Sequence, residues 1–241
     1  VSATDAGLAY YDRCTRIIEE LDEAEQAVRQ LNRTPAGTLR VNVPVSFGIR
    51  HLGSAIGTFM ARHEHLQVEL SMSDRVVNIV DEGFDLVIRI GRLADSSLIA
   101  RRLAPVSMVV CASPGYLDHR GRPTTPADLR EHDCLLYRYL STGNTWHLGT
   151  ESIRVDGRLM SDNGDVLTDA AVAGVGIALL PDFLIAAPVR TGALEVLLPE
   201  YQSQSSVWAI YPHSRHLSAK VRLFIDFLLE QFTPTPPWKC T

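Results

Sequence analysis

Between Thr38 and Gly91 the spacing of apolar residues switches repeatedly between two periods, and this switching constrains the fold more than any other feature. Leu39-Arg40-Val41-Asn42-Val43-Pro44-Val45 alternates with period two, as a strand does when one of its faces is buried. After Ser46-Phe47-Gly48, the residues Ile49, Leu52, Ile56, Phe59, Met60 and His63 recur at helical spacing. Gln67–Met72 reads as a strand, Val76–Glu82 as a short helix, and Asp85–Ile90 as a strand ended by Gly91. Parallel strands need long crossovers, so a β-α-β-α-β order predicts an open, doubly wound parallel sheet.

Two more strands are expected at about 98–103 and 106–112, and Ser113-Pro114-Gly115 then breaks the pattern. A second α/β unit follows over about 113–205. Its expected elements are a short helix at Pro126–Glu131 and strands at Cys134–Tyr139 and Ser152–Met160. A helix over Asp165–Ala173, a buried strand at Ile177–Leu180, a helix opened by Pro181 and a strand at Ser205–Tyr211 complete it. Leu217, Val221, Phe224, Leu228 and Phe232 give a last helix one apolar face, and the proline-rich tail 233–237 reads as loose. The chain thus leaves the first subdomain near Cys111 and returns near Trp208, leaving a cleft between two α/β lobes. Lobe I is expected to comprise 37–111 and 208–241, and lobe II 112–207, together forming one domain over 37–241.

Residues 1–36 carry a different signal. Tyr10, Cys14, Ile17, Leu21, Ala24, Val28 and Leu31 are spaced by fours and threes, an a/d seam, and Glu25 and Arg29 form an i,i+4 pair. Glu19, Glu20, Asp22 and Glu23 lie off the seam. A helix of about 28 residues spans ~42 Å, longer than one small domain covers. The reading is a linker helix that pairs with a second copy, ended by Pro35-Ala36-Gly37; the alternative is a core helix of a monomer.

Composition removes several functions. A net charge of −5 and a pI near 5.9 do not suit a chain that grips phosphates by itself. No apolar run reaches the roughly 18 residues of a membrane span, and Val1-Ser2-Ala3-Thr4-Asp5 has no signal-peptide character, so a cytoplasmic protein without membrane contact is expected. Cys14, Cys111, Cys134 and Cys240 are scattered; free thiols are expected, with a Cys111–Cys134 redox pair as the alternative. There is no GxSxG elbow, P-loop, HExxH or strand-following GxGxxG, and Gly174-Val175-Gly176 precedes a strand rather than a helix. His63-Glu64-His65 and the pair His213 and His216 lack a convincing third ligand. Neither a catalytic set, a metal nor a cofactor is expected.

Open parallel sheets bind ligands beyond the carboxyl ends of their strands. Here those ends are Pro44–Gly48, Ser73–Arg75 and Ile90–Arg92, with Tyr137–Tyr139, Asn163–Asp165 and the loop near Pro181 opposite. Ser46 and the helix behind it suit a carboxylate, Asn163 offers a second polar contact, and Phe47, Tyr137 and Phe183 offer apolar walls. That mix suits a small organic acid. Ser46 and Asp165 are equally readable as helix caps, Tyr137 as core, and Arg75 and Arg89 as solvated or structurally paired charges.

Several segments then resemble one family. They are Gly37-Thr38-Leu39-Arg40-Val41, Pro44-Val45-Ser46-Phe47-Gly48 and Asp85-Leu86-Val87-Ile88-Arg89-Ile90-Gly91. Further on come Ser97-Leu98-Ile99-Ala100-Arg101-Arg102-Leu103, Ala112-Ser113-Pro114-Gly115-Tyr116-Leu117, Asp162-Asn163-Gly164-Asp165 and the run from Ala171 to Pro181. Over 4–232 the chain resembles the LysR-type transcriptional regulators. The resemblance implies two Rossmann-like subdomains with an interlobe cleft, the type 2 periplasmic-binding-protein-like arrangement, behind a long N-terminal linker helix. It implies an effector near Ser46, Arg75, Ile90, Tyr137–Tyr139 and Asn163, beside the Pro44 strand end, with dimers or tetramers, and DNA binding by a winged helix-turn-helix that this sequence lacks. A two-lobe solute-binding protein is the first alternative, and an enzyme on the same scaffold the second.

Overall fold

The computed structural model describes residues 4, 6, 7, 10, 11, 13–18, 35–91, 93, 96–213 and 217–239. Leu21, Ala24, Val28, Leu31, the Glu25–Arg29 pair, Arg92, His216 and Cys240 lie outside them. The described residues from Tyr10 to Ile18 are helical, and Tyr10, Tyr11, Ile17 and Ile18 are exposed.

The first parallel unit forms as its alternation predicts. Strand β1 (Gly37–Val43) is flanked in parallel by β2 (Leu66–Met72) and β3 (Leu86–Ile90). Pro44 ends β1; a short turn over Val45–Phe47 and a wide turn over Gly48–Leu52 lead into α1 (Gly53–Arg62). The second parallel unit has β5 (Cys134–Tyr137) between β9 (Ile177–Pro181) and β8 (Leu159–Ser161). Helices α2 (Pro114–Arg120), α3 (Gly164–Val172) and α4 (Asp182–Arg190) belong to it.

Two long antiparallel strands join the units. β4 (Ile99–Ala112) and β11 (Ser203–Tyr211) run side by side; β11 continues onto β3, and β4 onto β9 and β10 (Glu195–Leu197). The sheet order is β2-β1-β3-β11-β4-β9-β5-β8. The two strands expected at 98–103 and 106–112 are therefore one. The ladder runs on past Pro105, which lies opposite Ser206 although it has no N–H to give, and the β4–β11 register slips just beyond, at Val207/Trp208.

Three other expectations change. Residues 76–78 are irregular and 79–82 form turns, not a helix: the Asn78 side-chain oxygen accepts from the amides of Val80 and Asp81 at 3.2 and 3.3 Å, giving the backbone a competing partner. The strand expected over Ser152–Met160 is split into β7 (Glu151–Arg154), paired with β6 (Thr145–Leu148), and β8. Gly157 lies at the split, where a Cβ would stand 1.8 Å from the Cys134 carbonyl oxygen, so no other residue fits. The tail 233–237 is not loose throughout: Pro236 is buried, and Trp238 just beyond it is 3% exposed.

The last helix, α5 (Ala219–Phe232), packs on the first subdomain as expected. Phe59 of α1 meets Phe224 and Phe227 with ring centroids 5.0 and 5.4 Å apart, and burying each such ring contributes roughly 2–3 kcal/mol. Lys220 is 7% exposed, donating to the Thr38 carbonyl at 2.8 Å and lying 3.3 Å from Asp85. One apolar cluster continues from this layer through Phe47 to Leu180, Phe183 and Leu184, across the junction of the two units. A second, built on Tyr116, Trp146, Leu148 and Ile177, fills the far side of the second unit.

Candidate functional site

The carboxyl ends of β1, β2 and β3 face those of β5 and β8, and the contacts there are specific. Helical spacing over 45–52 puts Ser46 and Arg50 on one side of the chain and Phe47 and His51 on another. Ser46 donates to the Asp165 carboxylate at 2.5 Å, and Arg50 donates to its other oxygen at 2.6 and 3.1 Å. Asp165 sits in the first turn of α3, in the other unit. Burial pushes its carboxyl up, but the Ser46 and Arg50 bonds outweigh that and hold it below the usual value. Asn163 is the cap of α3, accepting from the amides of Asp165 and Val166 at 2.9 and 3.2 Å. The approach is close: a Cβ on Gly164 would lie 2.6 Å from Leu184 and 3.7 Å from the Ser46 oxygen.

Beside this bridge lies a group of charged and phenolic side chains. Asp74, just after β2, accepts from the Val45 amide at 3.3 Å. Arg75 is chelated by Glu82. Arg89, on β3, donates to the Asn42 side chain at 2.9 Å and to the carbonyls of Arg75 and Ile88 at 3.0 and 2.8 Å. All three acceptors are neutral, and among the described residues no carboxylate pairs with it. Desolvation of this half-buried guanidinium lowers its affinity for its proton, and Asp74 and Tyr137 oppose the effect. Burial raises Asp74, Val45 and Arg89 counter it, and Asp162 and Asp165 add to the rise. The Tyr137 hydroxyl is raised by burial, then by Asp74, Tyr139 and Asp162, with Arg89 opposing. The charges of Asp74 and Arg89 therefore act on Tyr137 across the junction of the two units.

The nine residues singled out from the sequence divide into four groups. Ser46 and Asn163 lie at the bridge, where the Ser46 hydroxyl already holds a carboxylate supplied by Asp165. Arg75, Tyr137 and Tyr139 lie around Arg89, with the two tyrosine rings edge-on at 6.1 Å and Tyr139 40% exposed. Pro44 caps the first turn, and Ile90 is half-buried in the sheet against Val207. Phe47 and Phe183 are buried and meet each other edge-on at 5.5 Å. The sequence pattern does not mark Arg50 or Asp74, and it leaves Arg89 as a solvated or structurally paired charge. Nothing in the local sequence marks the bridge, whose partners are 119 and 115 residues apart.

Outside this site, a cavity of about 670 Å³ opens on the second unit, lined by Ser113, Tyr116, Arg120, Asp133, Arg158 and Gly174 among others, and it includes none of the residues above. Cys111 and Cys134 are free and buried, and burial pushes both thiols up to about 12. Among the described residues no helix is long and apolar enough to cross a membrane.

Comparison with known proteins assigns this architecture. The sequence profile of the LysR substrate binding domain matches residues 32–233. The chain belongs to the LysR-type transcriptional regulators. It is the effector-binding region of such a regulator, with the type 2 periplasmic-binding-protein-like fold. It is 37% identical over 227 residues to an uncharacterized HTH-type transcriptional regulator of Haemophilus influenzae, covering 92% of this chain and 78% of that one. It is 33% identical over 237 residues to the HTH-type transcriptional activator AaeR of Escherichia coli, covering 96% and 77%. Among solved structures, CrgA, a LysR-type transcriptional regulator from Neisseria meningitidis, superposes with a TM-score of 0.74 at 29% identity, covering 96% of this chain and 81% of that one. These LysR relatives are regulators of transcription rather than named enzymes.

Proposed function

We propose that this region senses a small organic anion held between the carboxyl edges of its two parallel units, with Arg89 as the charge that receives it. The observation that carries the reading is the Arg89 guanidinium, half-buried and bonded only to neutral acceptors. A desolvated cation with no carboxylate in bonding contact is costly even with Asp74 acting on it through space, and a ligand carboxylate would offset that cost. Ser46, Arg75, Tyr137, Tyr139 and Asn163 border the same space; Pro44 and Ile90 shape its floor, while Phe47 and Phe183 act from behind. The lobes are taken as 37–111 with 208–241, and 112–207, a division supported by the register slip at Val207/Trp208.

Ligand binding shifts an equilibrium only through unequal affinity for its two states. An anion contacting both units favours one interlobe spacing, and oligomer contacts through the linker helix, whose described part exposes Tyr10, Tyr11, Ile17 and Ile18, pass the change to DNA-binding heads. The protein acts without catalysis, in the cytoplasm, and reaches DNA only through a head outside this chain. A thermal-shift screen tests the ligand class. Small mono- and dicarboxylic acids are expected to raise the unfolding midpoint while matched amines do not; stabilisation by the amines alone overturns the reading.

A further inference from the structure

A side chain near the C-terminus touches both units. Trp238 has its ring centroid 5.4 Å from Phe47 and 4.7 Å from His51, on the turn after β1. It is also 6.2 Å from Phe183, at the start of α4, and 5.2 Å from Phe232, at the end of α5. A residue beyond the last helix therefore fills the angle between the first unit, the second unit and its own helix.

This joint is not built like an ordinary core. The indole nitrogen of Trp238, the Nε2 of His51 and one carboxylate oxygen of Asp182 are buried with no hydrogen-bond partner among the described residues. Asp182 adjoins Phe183, its other oxygen accepts from the Ser107 amide of β4 at 3.1 Å, and it feels the charge of Lys239. Buried polar atoms are almost always satisfied, and an unpaired indole nitrogen packed on an unpaired His51 nitrogen makes this seat cheaper to leave than an all-apolar one. Position matters as well. Phe47 and His51 alternate with Ser46 and Arg50 on the same two turns, so a push on one pair moves the other, which holds Asp165 of the opposite unit.

We propose that the segment 233–239 is a detachable strap in which Trp238 is a positioning residue, setting the spacing of the two units and hence how the space around Arg89 opens. The role of Arg89 in this statement rests on the function proposed above; the strap itself does not. Spin labels at Glu64→Cys and Glu200→Cys, exposed positions in the two units, report the spacing once Cys14→Ser and Cys240→Ser remove competing sites. Trp238→Ala is expected to move the label separation to longer and broader values, and Trp238→Phe to restore it. An unchanged separation in folded Trp238→Ala overturns the strap, because a merely structural tryptophan lowers the unfolding midpoint without moving the labels. Should Trp238→Ala not fold, Trp238→Leu keeps an apolar filler without the reach to Phe183, and an unchanged separation there overturns the strap equally. Titration of Arg89→Gln with an acid from the screen judges the anion site separately, so either idea can fail alone.

Discussion

The two faces of the segment 45–52 hold the same pair of units together by different physics. On one face Ser46 and Arg50 grip a partly exposed carboxylate; on the other Phe47 and His51 pack against Trp238 and Phe183. The polar face depends on salt and protonation and presents chemistry that a ligand carboxylate can imitate. The aromatic face depends on shape and area, and no small anion competes for it. The comparison teaches a division of labour: the aromatic face sets stability, and the polar face, with its own carboxylate, sets the charge beside the space around Arg89.

Substitutions sharpen that contrast. Phe47→Ala has the largest expected effect, because Phe47 is fully buried against three aromatic rings and a histidine. Truncation of such a ring costs about 3–5 kcal/mol, read from the denaturant midpoint. Asp165→Asn removes the carboxylate but keeps the shape. Its pair is about one-third exposed, so the stability loss is expected to be only about 1 kcal/mol, while affinity for an organic acid rises as Ser46 and Arg50 are freed. If Asp165→Asn were to cost as much as Phe47→Ala, the division would fail.

Protonation separates the faces more finely. His51 is lowered from 6.5 to about 4 by burial and then by Arg50. As pH falls through that interval the unfolded chain takes up a proton at His51 before the folded chain does. Stability from this group is complete above pH 6.5 and is lost progressively toward about 4. Asp165, whose carboxyl is lowered, keeps its contribution above the ordinary carboxylate value and loses it only below. Urea unfolding across the window is therefore expected to show a decline that His51→Phe flattens and Asp165→Asn leaves in place.

Much of the first unit was legible because its strands alternate cleanly and glycines punctuate them. Legibility fell where local chemistry competes with periodicity. Val76, Val77, Ile79 and Val80 are spaced as on a helix, but the Asn78 side chain captures the amides that the helix needs. Pro105 looks like a break, yet an irregular ladder accommodates it. The short strands β6, β7 and β10 are too brief to show a period. Strand ends placed Ser46, Arg75 and Tyr137 near the junction of the two units, since topology alone fixes where such ends meet. It could not show that Asn163 rather than Asp165 does the capping, leaving Asp165 free to cross the junction. Nor could the tail reveal that one tryptophan after a proline run returns to the core.

The central claim is that Arg89 receives the anion, and calorimetric titration tests it most directly. With the acid that most stabilises the wild-type chain as titrant, Arg89→Gln is expected to bind about 10- to 100-fold more weakly, the weight of one desolvated charge-assisted contact. Affinity within about twofold of wild type, in a variant that unfolds normally, would contradict it.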